Sequence, residues 1–257
     1  MGLRAIKAGM IVEGVKLLMT PVGYWRFLPF SFVWREFRKY RNPRVLDASS
    51  PKLLSLFFAS KTSGQVYATD LDDEKIFTRW KRFAGILGLR NYRVEYQDAR
   101  KLSYPDDFFD FIYSISVIEH IPENGDHLAL AEFRRVLKPT GTLVLEVPYR
   151  RTREDIFKTN DSKGIPSKTL QFYERHYDAA ALKERLELTG LSIKKKVIMG
   201  ERIPLDSAVL SDGLPRILRV ALLPWEPVLA AVNCWARVKD DRGIPGSALL
   251  VYRKVLP

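Results

Sequence analysis

The chain has 257 residues, of which 46% are hydrophobic and 28% charged, and this composition is that of a globular protein with a sizeable core. Its formal net charge of +12 allows two interpretations, an anionic partner such as nucleic acid or an acidic membrane face, or an ordinary basic surface. The single cysteine, Cys234, excludes an internal disulfide and a cysteine-cluster zinc site, and no metal site is expected. We expect neither a signal peptide nor a transmembrane helix, because charges interrupt every long apolar run.

Residues 1–42 are predicted to form an N-terminal helical and aromatic cap, with a helix over residues 6–19. Aromatic and basic residues are interleaved between Gly23 and Tyr40. Such a mixture suits either a membrane interface or a stacking surface, or a cap that packs its rings on the main domain. We favour the cap.

From residue 43 onward the pattern alternates between strands and helices, and residues 43–257 are predicted to form the main domain. Short apolar strands are predicted at 44–47, 65–70, 92–98, 109–114 and 142–147. Ser50 is expected to cap the helix that follows the first strand, with Pro51 at its first position. Strands joined through helices form right-handed βαβ units. We therefore predict an α/β fold with a doubly wound, mostly parallel seven-stranded sheet.

The second half of the chain departs from this alternation in two places. Residues 150–175 are polar and basic and are predicted to be a loop or a small insert. A helix over 176–190 and a strand over 191–199 follow. Residues 203–242 are predicted to be a helical insert, broken at Pro224–Pro227, that caps a substrate pocket or lies on a bilayer. The last strand is predicted at 247–254.

Four motifs occur in chain order, and together they carry a family resemblance. They are Val45-Leu46-Asp47, Tyr67-Ala68-Thr69-Asp70, Gln97-Asp98-Ala99 and the segment from Phe109 through Glu119-His120 to Gly141. Over about residues 43–200 the chain resembles class I S-adenosylmethionine-dependent methyltransferases, within them the small-molecule branch that includes ubiquinone-biosynthesis enzymes. The resemblance implies a Rossmann-like methyltransferase fold and S-adenosylmethionine as the cofactor.

The resemblance also implies a set of cofactor-binding residues at the carboxyl ends of the strands. Asp70 would accept hydrogen bonds from the ribose hydroxyls, and Asp98 from the adenine amino group. Their simpler interpretations are an acid at a helix N-terminus and an acid in a turn. The full predicted set is Asp47, Ser49, Ser50, Asp70, Leu71, Asp98, Ala99 and Ser114.

The first loop departs from the family pattern. Ser49, Pro51 and Leu53 stand where the family has glycines, which let the backbone approach the ligand. In one interpretation the hydroxyls of Ser49 and Ser50 contact the amino-acid tail of the cofactor, with Lys52 near its carboxylate. In the other, the pocket is narrowed and the cofactor binds poorly or not at all.

His120, just after the fourth strand, is the candidate catalytic base, and a structural histidine is the alternative. We predict a cytoplasmic methyltransferase that acts on a small-molecule or lipid-linked acceptor. Peripheral contact with the inner membrane face through residues 20–40 and 205–238 is included in this prediction. A non-catalytic binding protein is the alternative function. An RNA methyltransferase is a weaker one, because no base-methylating motif follows the fourth strand, and nucleic acid is not expected as a partner.

Overall fold

The computed structural model describes residues 1–19, 22–71, 74–160, 166–187, 190–205, 222–239 and 243–255. The strands within these ranges are β1 Val45–Ala48, β2 Val66–Asp70, β3 Tyr92–Tyr96, β4 Phe109–Ile115, β5 Leu137–Pro148, β6 Glu154–Asn160, β7 Pro166–His176, β8 Leu191–Glu201, β9 Cys234–Arg237 and β10 Ile244–Lys254. The helices are α1 Gly2–Lys7, α2 Ile11–Met19, α3 Phe27–Phe37, α4 Lys52–Ala59, α5 Glu74–Leu87, α6 Gly125–Val136, α7 Ala179–Leu186 and α8 Glu226–Asn233.

The central sheet is mostly parallel, with strand order β3-β2-β1-β4-β5-β10-β8-β9. Strands β1 to β5 run parallel, whereas β10 is antiparallel to both β5 and β8. The strand order reverses between β1 and β4, which is the switch point where ligands bind in such sheets. The predicted fold class is confirmed, with eight strands in place of seven. The extra strand, β9, comes from the predicted helical insert, where Trp235 pairs with Gly200 of β8.

Side chains of each strand alternate between two buried layers, because successive residues of a strand point to opposite faces. Val45 and Phe111 face a core shared with α3, α4 and α5. Leu46 and Ile112 face a second core shared with α6 and α7. The sheet is thus covered on both sides, and its carboxyl-end edge lies between the two helical layers.

The N-terminal segment forms three helices and packs its aromatic rings inward. The predicted helix over residues 6–19 is broken at Gly9, whose φ of 82° favours glycine. The ring of Phe37 stacks on that of Phe58 with centroids 4.1 Å apart, and Trp34 stacks on the same ring. Residues 22–41 therefore cover the sheet as a cap. The boundary at residue 42 stays a prediction.

Two segments differ from the predictions. Residues 150–175 are predicted to be a loop or a small insert, and they contain most of an antiparallel hairpin of β6 and β7, in which Glu154 pairs with His176. Helix α7 is shorter than predicted, since it begins after Asp178, whose side chain accepts a hydrogen bond from the Ala181 backbone N–H. Of the predicted helical insert over residues 203–242, residues 206–221 and 240–242 lie outside the described residues. None of the described helices is both long enough and apolar enough to cross a membrane.

Candidate functional site

The loop after β1 turns without glycine. Asp47 is wholly buried and accepts a hydrogen bond from the Ser50 backbone N–H at 2.9 Å. Ser49 has a φ of 61°, the left-handed conformation that glycine adopts readily and other residues adopt at a cost of about 1–2 kcal/mol. Ser49 therefore takes the backbone conformation that a glycine of the family loop would provide. Its side chain is half-buried.

Two predicted cofactor-binding hydroxyls instead join β1 to β4. The Oγ of Ser50 accepts a hydrogen bond from the Ile115 backbone N–H at 2.8 Å, and the Oγ of Ser114 donates to the Ala48 carbonyl at 3.3 Å. Both residues are buried. Helix α4 starts at Lys52, and Ser50 makes no capping bond to it, so the predicted cap is wrong. These hydroxyls hold the switch point together and do not face the cleft.

Lys52 is the main departure from the predicted site. Its side chain is 4% exposed, and its ammonium donates to the Ser50 carbonyl at 2.8 Å and lies 3.0 Å from Oδ2 of Asp70. The other Asp70 oxygen accepts from the Leu71 backbone N–H. Each carboxylate oxygen has a second acceptor site, and the Asp70 side chain is 25% exposed, so it can still receive a hydroxyl.

The charge of Lys52 also acts on Asp47. Burial raises the pKa of Asp47, and the nearby ammonium of Lys52 opposes that rise. The Oδ2 atom of Asp47 has no hydrogen-bond partner among the described residues. Lys52 therefore serves two acids at once, one in the core and one at the edge of the cleft. The ammonium of Lys52 was expected near the cofactor carboxylate. It is already bonded to Asp70 and to the Ser50 carbonyl.

Asp98 and Ala99 lie after β3, at the same edge of the sheet as Asp70. The Asp98 carboxylate receives hydrogen bonds from the Arg100 guanidinium, the shortest of them 2.7 Å. This pairing holds the pKa of Asp98 below its usual value. Ala99 is buried, whereas the side chain of Leu71 is exposed. The predicted contact of Asp98 with adenine therefore requires the Arg100 side chain to move.

His120 ends a short 3-10 turn that follows β4. Its Nδ1 lies 2.7 Å from the Tyr173 carbonyl of β7. Because a carbonyl can only accept, Nδ1 carries the proton and Nε2 is the basic atom. Nε2 lies 3.8 Å from Glu119 and 3.9 Å from Glu174. The hairpin thus fixes the orientation of the predicted base.

Two buried carboxyl groups, those of Glu119 and Glu146, lie close enough for the charge of one to act on the other. Glu119 is wholly enclosed, and neither of its oxygens has a hydrogen-bond partner among the described residues. Burial and the neighbouring charge of Glu146 raise the pKa of Glu119 well above its usual range. Glu146 accepts from the Ser116 hydroxyl at 2.9 Å, and burial raises its pKa too. This pair favours the protonated form of at least one carboxyl group.

A cavity of about 510 Å³ opens at the carboxyl ends of β4 and β5. Its wall combines the N-terminal cap, the sheet and the hairpin, through Trp25, Arg26, Glu146, Arg150, Glu174 and His176. Arg26 lines the cavity and stays partly exposed to solvent. Burial lowers its pKa, while the charges of Glu146 and Glu119 oppose the change. The sequence does not predict this cavity, because its residues come from three distant parts of the chain.

The hairpin is anchored through Asp126 of α6, which the sequence analysis also missed. Asp126 is wholly buried and accepts hydrogen bonds from Arg175 at 3.1 Å, from Arg185 at 2.7 Å and from the Tyr177 hydroxyl at 2.7 Å. Its single carboxylate therefore joins α6, β7 and α7. Across the described parts of the chain, no three His, Cys, Asp or Glu residues are grouped so as to hold a metal ion.

Comparisons with known proteins agree with this architecture. Residues 48–145 match the methyltransferase domain family. Coclaurine N-methyltransferase, in a crystal structure bound to N-methylheliamine and SAH, is similar over 88% of this chain and 71% of its own, with a TM-score of 0.60 and 14% identity. The [4+2]-cyclase SpnF is similar over 90% of this chain and 81% of its own, with a TM-score of 0.57 and 18% identity. The chain therefore has the class I S-adenosylmethionine-dependent methyltransferase fold, and the resemblance found in the sequence is confirmed.

Two curated relatives share part of the sequence. The 27-O-demethylrifamycin SV methyltransferase of Amycolatopsis mediterranei is 27% identical over 136 residues, which are 48% of this chain and 40% of that protein. The ubiquinone/menaquinone biosynthesis C-methyltransferase UbiE of Azotobacter vinelandii is 34% identical over 110 residues, 41% of this chain and 42% of that protein. The chain thus spans about two-fifths of the length of each of these relatives.

Proposed function

We propose that this protein is an S-adenosylmethionine-dependent methyltransferase that acts on a small-molecule acceptor. The observation that carries the proposal is the position of Asp70, a partly exposed carboxylate at the carboxyl end of β2, beside the switch point of this fold. Its free acceptor sites suit vicinal hydroxyls. Ser49, Leu71 and Ala99 lie at the same edge of the sheet and would complete the contacts to the cofactor. Asp47, Ser50 and Ser114 would support them from behind.

When bound, S-adenosylmethionine supplies a methyl group made electrophilic by a sulfonium. The contribution of the chain is to orient the acceptor and, where the acceptor must lose a proton, to receive it. His120 is suited to this role because its Nδ1 is held by the Tyr173 carbonyl, which leaves Nε2 basic. Glu174, whose Oε2 lies 3.9 Å from Nε2, is near enough to stabilise the ring once Nε2 is protonated.

The acceptor would occupy the cavity beneath the N-terminal cap. Its volume of about 510 Å³ is within the range of small-molecule sites, and it adjoins the ends of β4 and β5. Arginine and carboxyl groups in its wall suit a polar acceptor. The names of the two curated relatives support a small-molecule acceptor. A lipid-linked acceptor is the alternative form of the same proposal. A cytoplasmic location stays a prediction.

A non-catalytic binding protein is the second candidate function, and one observation favours it. The ion pair between Lys52 and Asp70 engages one of the carboxylate oxygens that the ribose would use. The [4+2]-cyclase SpnF has a similar fold, so the fold by itself does not determine the reaction.

Calorimetric titration with S-adenosylmethionine and with its demethylated product tests the proposal. We expect the wild type to bind both, and Asp70→Asn to bind them at least tenfold more weakly, since it loses a charged acceptor. Asp106→Asn is the matched control, because Asp106 is an acid whose side chain is mostly exposed and pairs with Arg135 on the surface. Folding of each variant is checked by circular dichroism.

Two results would overturn the proposal or its residue assignment. Failure of the folded wild type to bind either ligand would reject the enzyme and favour the non-catalytic protein. Equal affinities of Asp70→Asn and Asp106→Asn would reject the ribose contact alone.

A further inference from the structure

Helix α2 presents an apolar face to solvent. Ile11 is 61% exposed and Val12 is 78% exposed, and Val15 and Leu18 are also exposed. Ile11, Val15 and Leu18 are spaced by four and three residues, so they lie on one side of the helix. Leu3 of α1 is exposed as well. A surface helix normally turns polar residues outward, so this face indicates a partner.

The side of α2 next to this face is packed against α1. Gly14 contacts Gly2 of α1 so closely that a Cβ at Gly14 would lie 2.7 Å from the Gly2 carbonyl oxygen. Ala5 and Met10 are buried at this junction. The two helices therefore form a hairpin that is fixed from within. The outer apolar face of the hairpin is therefore separate from the side that packs on the domain.

Charge around this hairpin favours an anionic partner. Arg4 and Lys7 are exposed on α1. The only acid in residues 1–19 is Glu13, which lies 3.5 Å from Arg79 of α5. Over residues 1–42 the sequence has eight Lys or Arg and two Glu. Apolar side chains beside unopposed cations are typical of helices that lie in the headgroup region of an acidic bilayer.

An apolar cavity adjoins the hairpin. It has a volume of about 560 Å³ and is lined by side chains of α2, α3 and α4, among them Leu17, Leu18, Phe30, Trp34 and Phe57. Leu18 belongs to both the exposed face and the cavity wall. A bilayer in contact with the face would therefore bring hydrocarbon to the mouth of this cavity.

We propose that the α1–α2 hairpin is a docking surface for an anionic lipid bilayer. Leu3, Ile11, Val12, Val15 and Leu18 enter the boundary between headgroups and acyl chains, and Arg4 and Lys7 contact anionic headgroups. The apolar cavity receives one hydrocarbon chain. This surface differs from the segment 20–40 expected from the sequence, most of whose rings are turned inward. It does not depend on methyl transfer.

Vesicle co-sedimentation tests the docking surface. The probes are vesicles of pure phosphatidylcholine and vesicles of equal parts phosphatidylcholine and phosphatidylglycerol. We expect the full chain to bind the anionic vesicles and to bind the neutral ones much more weakly. Ile11→Ser with Val12→Ser should weaken binding about tenfold or more, because two apolar side chains no longer enter the bilayer. Serine has a helix propensity close to that of isoleucine and valine, so α2 should be preserved.

Two further variants separate the contributions. Arg4→Gln with Lys7→Gln should weaken binding to anionic vesicles by about twentyfold and leave binding to neutral ones unchanged. Leu128→Ser is the matched control, since Leu128 is an exposed leucine, but on α6, which packs on the other face of the sheet. It should bind as the wild type does.

Several outcomes would overturn the proposal. They are failure of the wild type to bind anionic vesicles, equal binding to both kinds of vesicle, and unchanged binding by both double variants. A wild type that dimerises without binding vesicles, and becomes monomeric when Ile11 and Val12 are replaced, would assign the face to a second copy of the chain. If Ile11→Ser with Val12→Ser proves unfolded by circular dichroism, the Arg4 and Lys7 variant still decides the question.

Discussion

Replacing Lys52 by methionine should destabilise the protein far more than the loss of an ordinary surface lysine. Lys52 is almost fully buried and donates to Asp70 and to the Ser50 carbonyl. Its charge also opposes the rise in pKa that burial imposes on Asp47. Methionine matches the length and apolar stem of lysine but removes the ammonium. Two acids and a carbonyl would then lose their common cation.

The structure sets the size of the effect. Removing one partner of a buried ion pair costs about 3–5 kcal/mol. Asp70 is one-quarter exposed, so water can solvate it in part, and we expect Lys52→Met to cost about 3 kcal/mol. Adding Asp70→Asn removes one of the two stranded charges. The double variant should therefore recover on the order of 1 kcal/mol.

Urea unfolding at neutral pH, followed by circular dichroism, measures these free energies. Lys138→Met is the control, because the Lys138 side chain is 34% exposed and pairs with Asp110, an acid about as exposed as Asp70. Its loss should cost less than about 1 kcal/mol. If Lys52→Met and Lys138→Met are equally stable, Lys52 does not compensate the charges of Asp47 and Asp70.

Three further changes test other parts of the site. Asp126→Asn should cost about 3 kcal/mol of unfolding free energy, because Arg185 and the buried Arg175 lose a shared anion, although Arg175 keeps its ion pair with Asp155. Equal urea midpoints for variant and wild type would contradict this. Ser50→Ala should cost about 1–3 kcal/mol of unfolding free energy, because it leaves the Ile115 N–H unpaired. Ser49→Ala should change that free energy by less than about 0.5 kcal/mol. Equal losses would show that the Ser50 hydroxyl does not hold β1 to β4. The raised pKa of Glu119 means that folding favours its protonated form, so the wild type loses stability as pH rises above the ordinary carboxyl range. The free energy of unfolding of Glu119→Gln, measured in urea, should therefore gain on that of the wild type as pH rises above about 5, by up to about 1.4 kcal/mol per pH unit. A difference that stays constant with pH would show that folding does not raise the pKa of Glu119.

The sequence alone determined the alternation of strands and helices from β1 to β5, and with it the fold class. These elements are local, because each is encoded by the periodicity of a short apolar segment and by turn residues at its ends. The same pattern predicted acidic residues at the ends of the strands. Asp70 and Asp98 are at the edge where they were expected, at the carboxyl ends of β2 and β3. Their contacts with a cofactor stay a prediction.

Only the tertiary structure decided what surrounds these acids. The pairing of Lys52 with Asp70, the enclosure of Glu119 and the convergence of Arg175 and Arg185 on Asp126 join residues that are distant in the chain. The hydrophobic periodicity of the sequence does not predict such contacts, since they depend on how the helices and strands pack against each other. The β6–β7 hairpin was missed for the same reason: its polar segments become strands by pairing with each other. The direction in which α2 turns its apolar residues likewise depends on the close approach of Gly2 and Gly14.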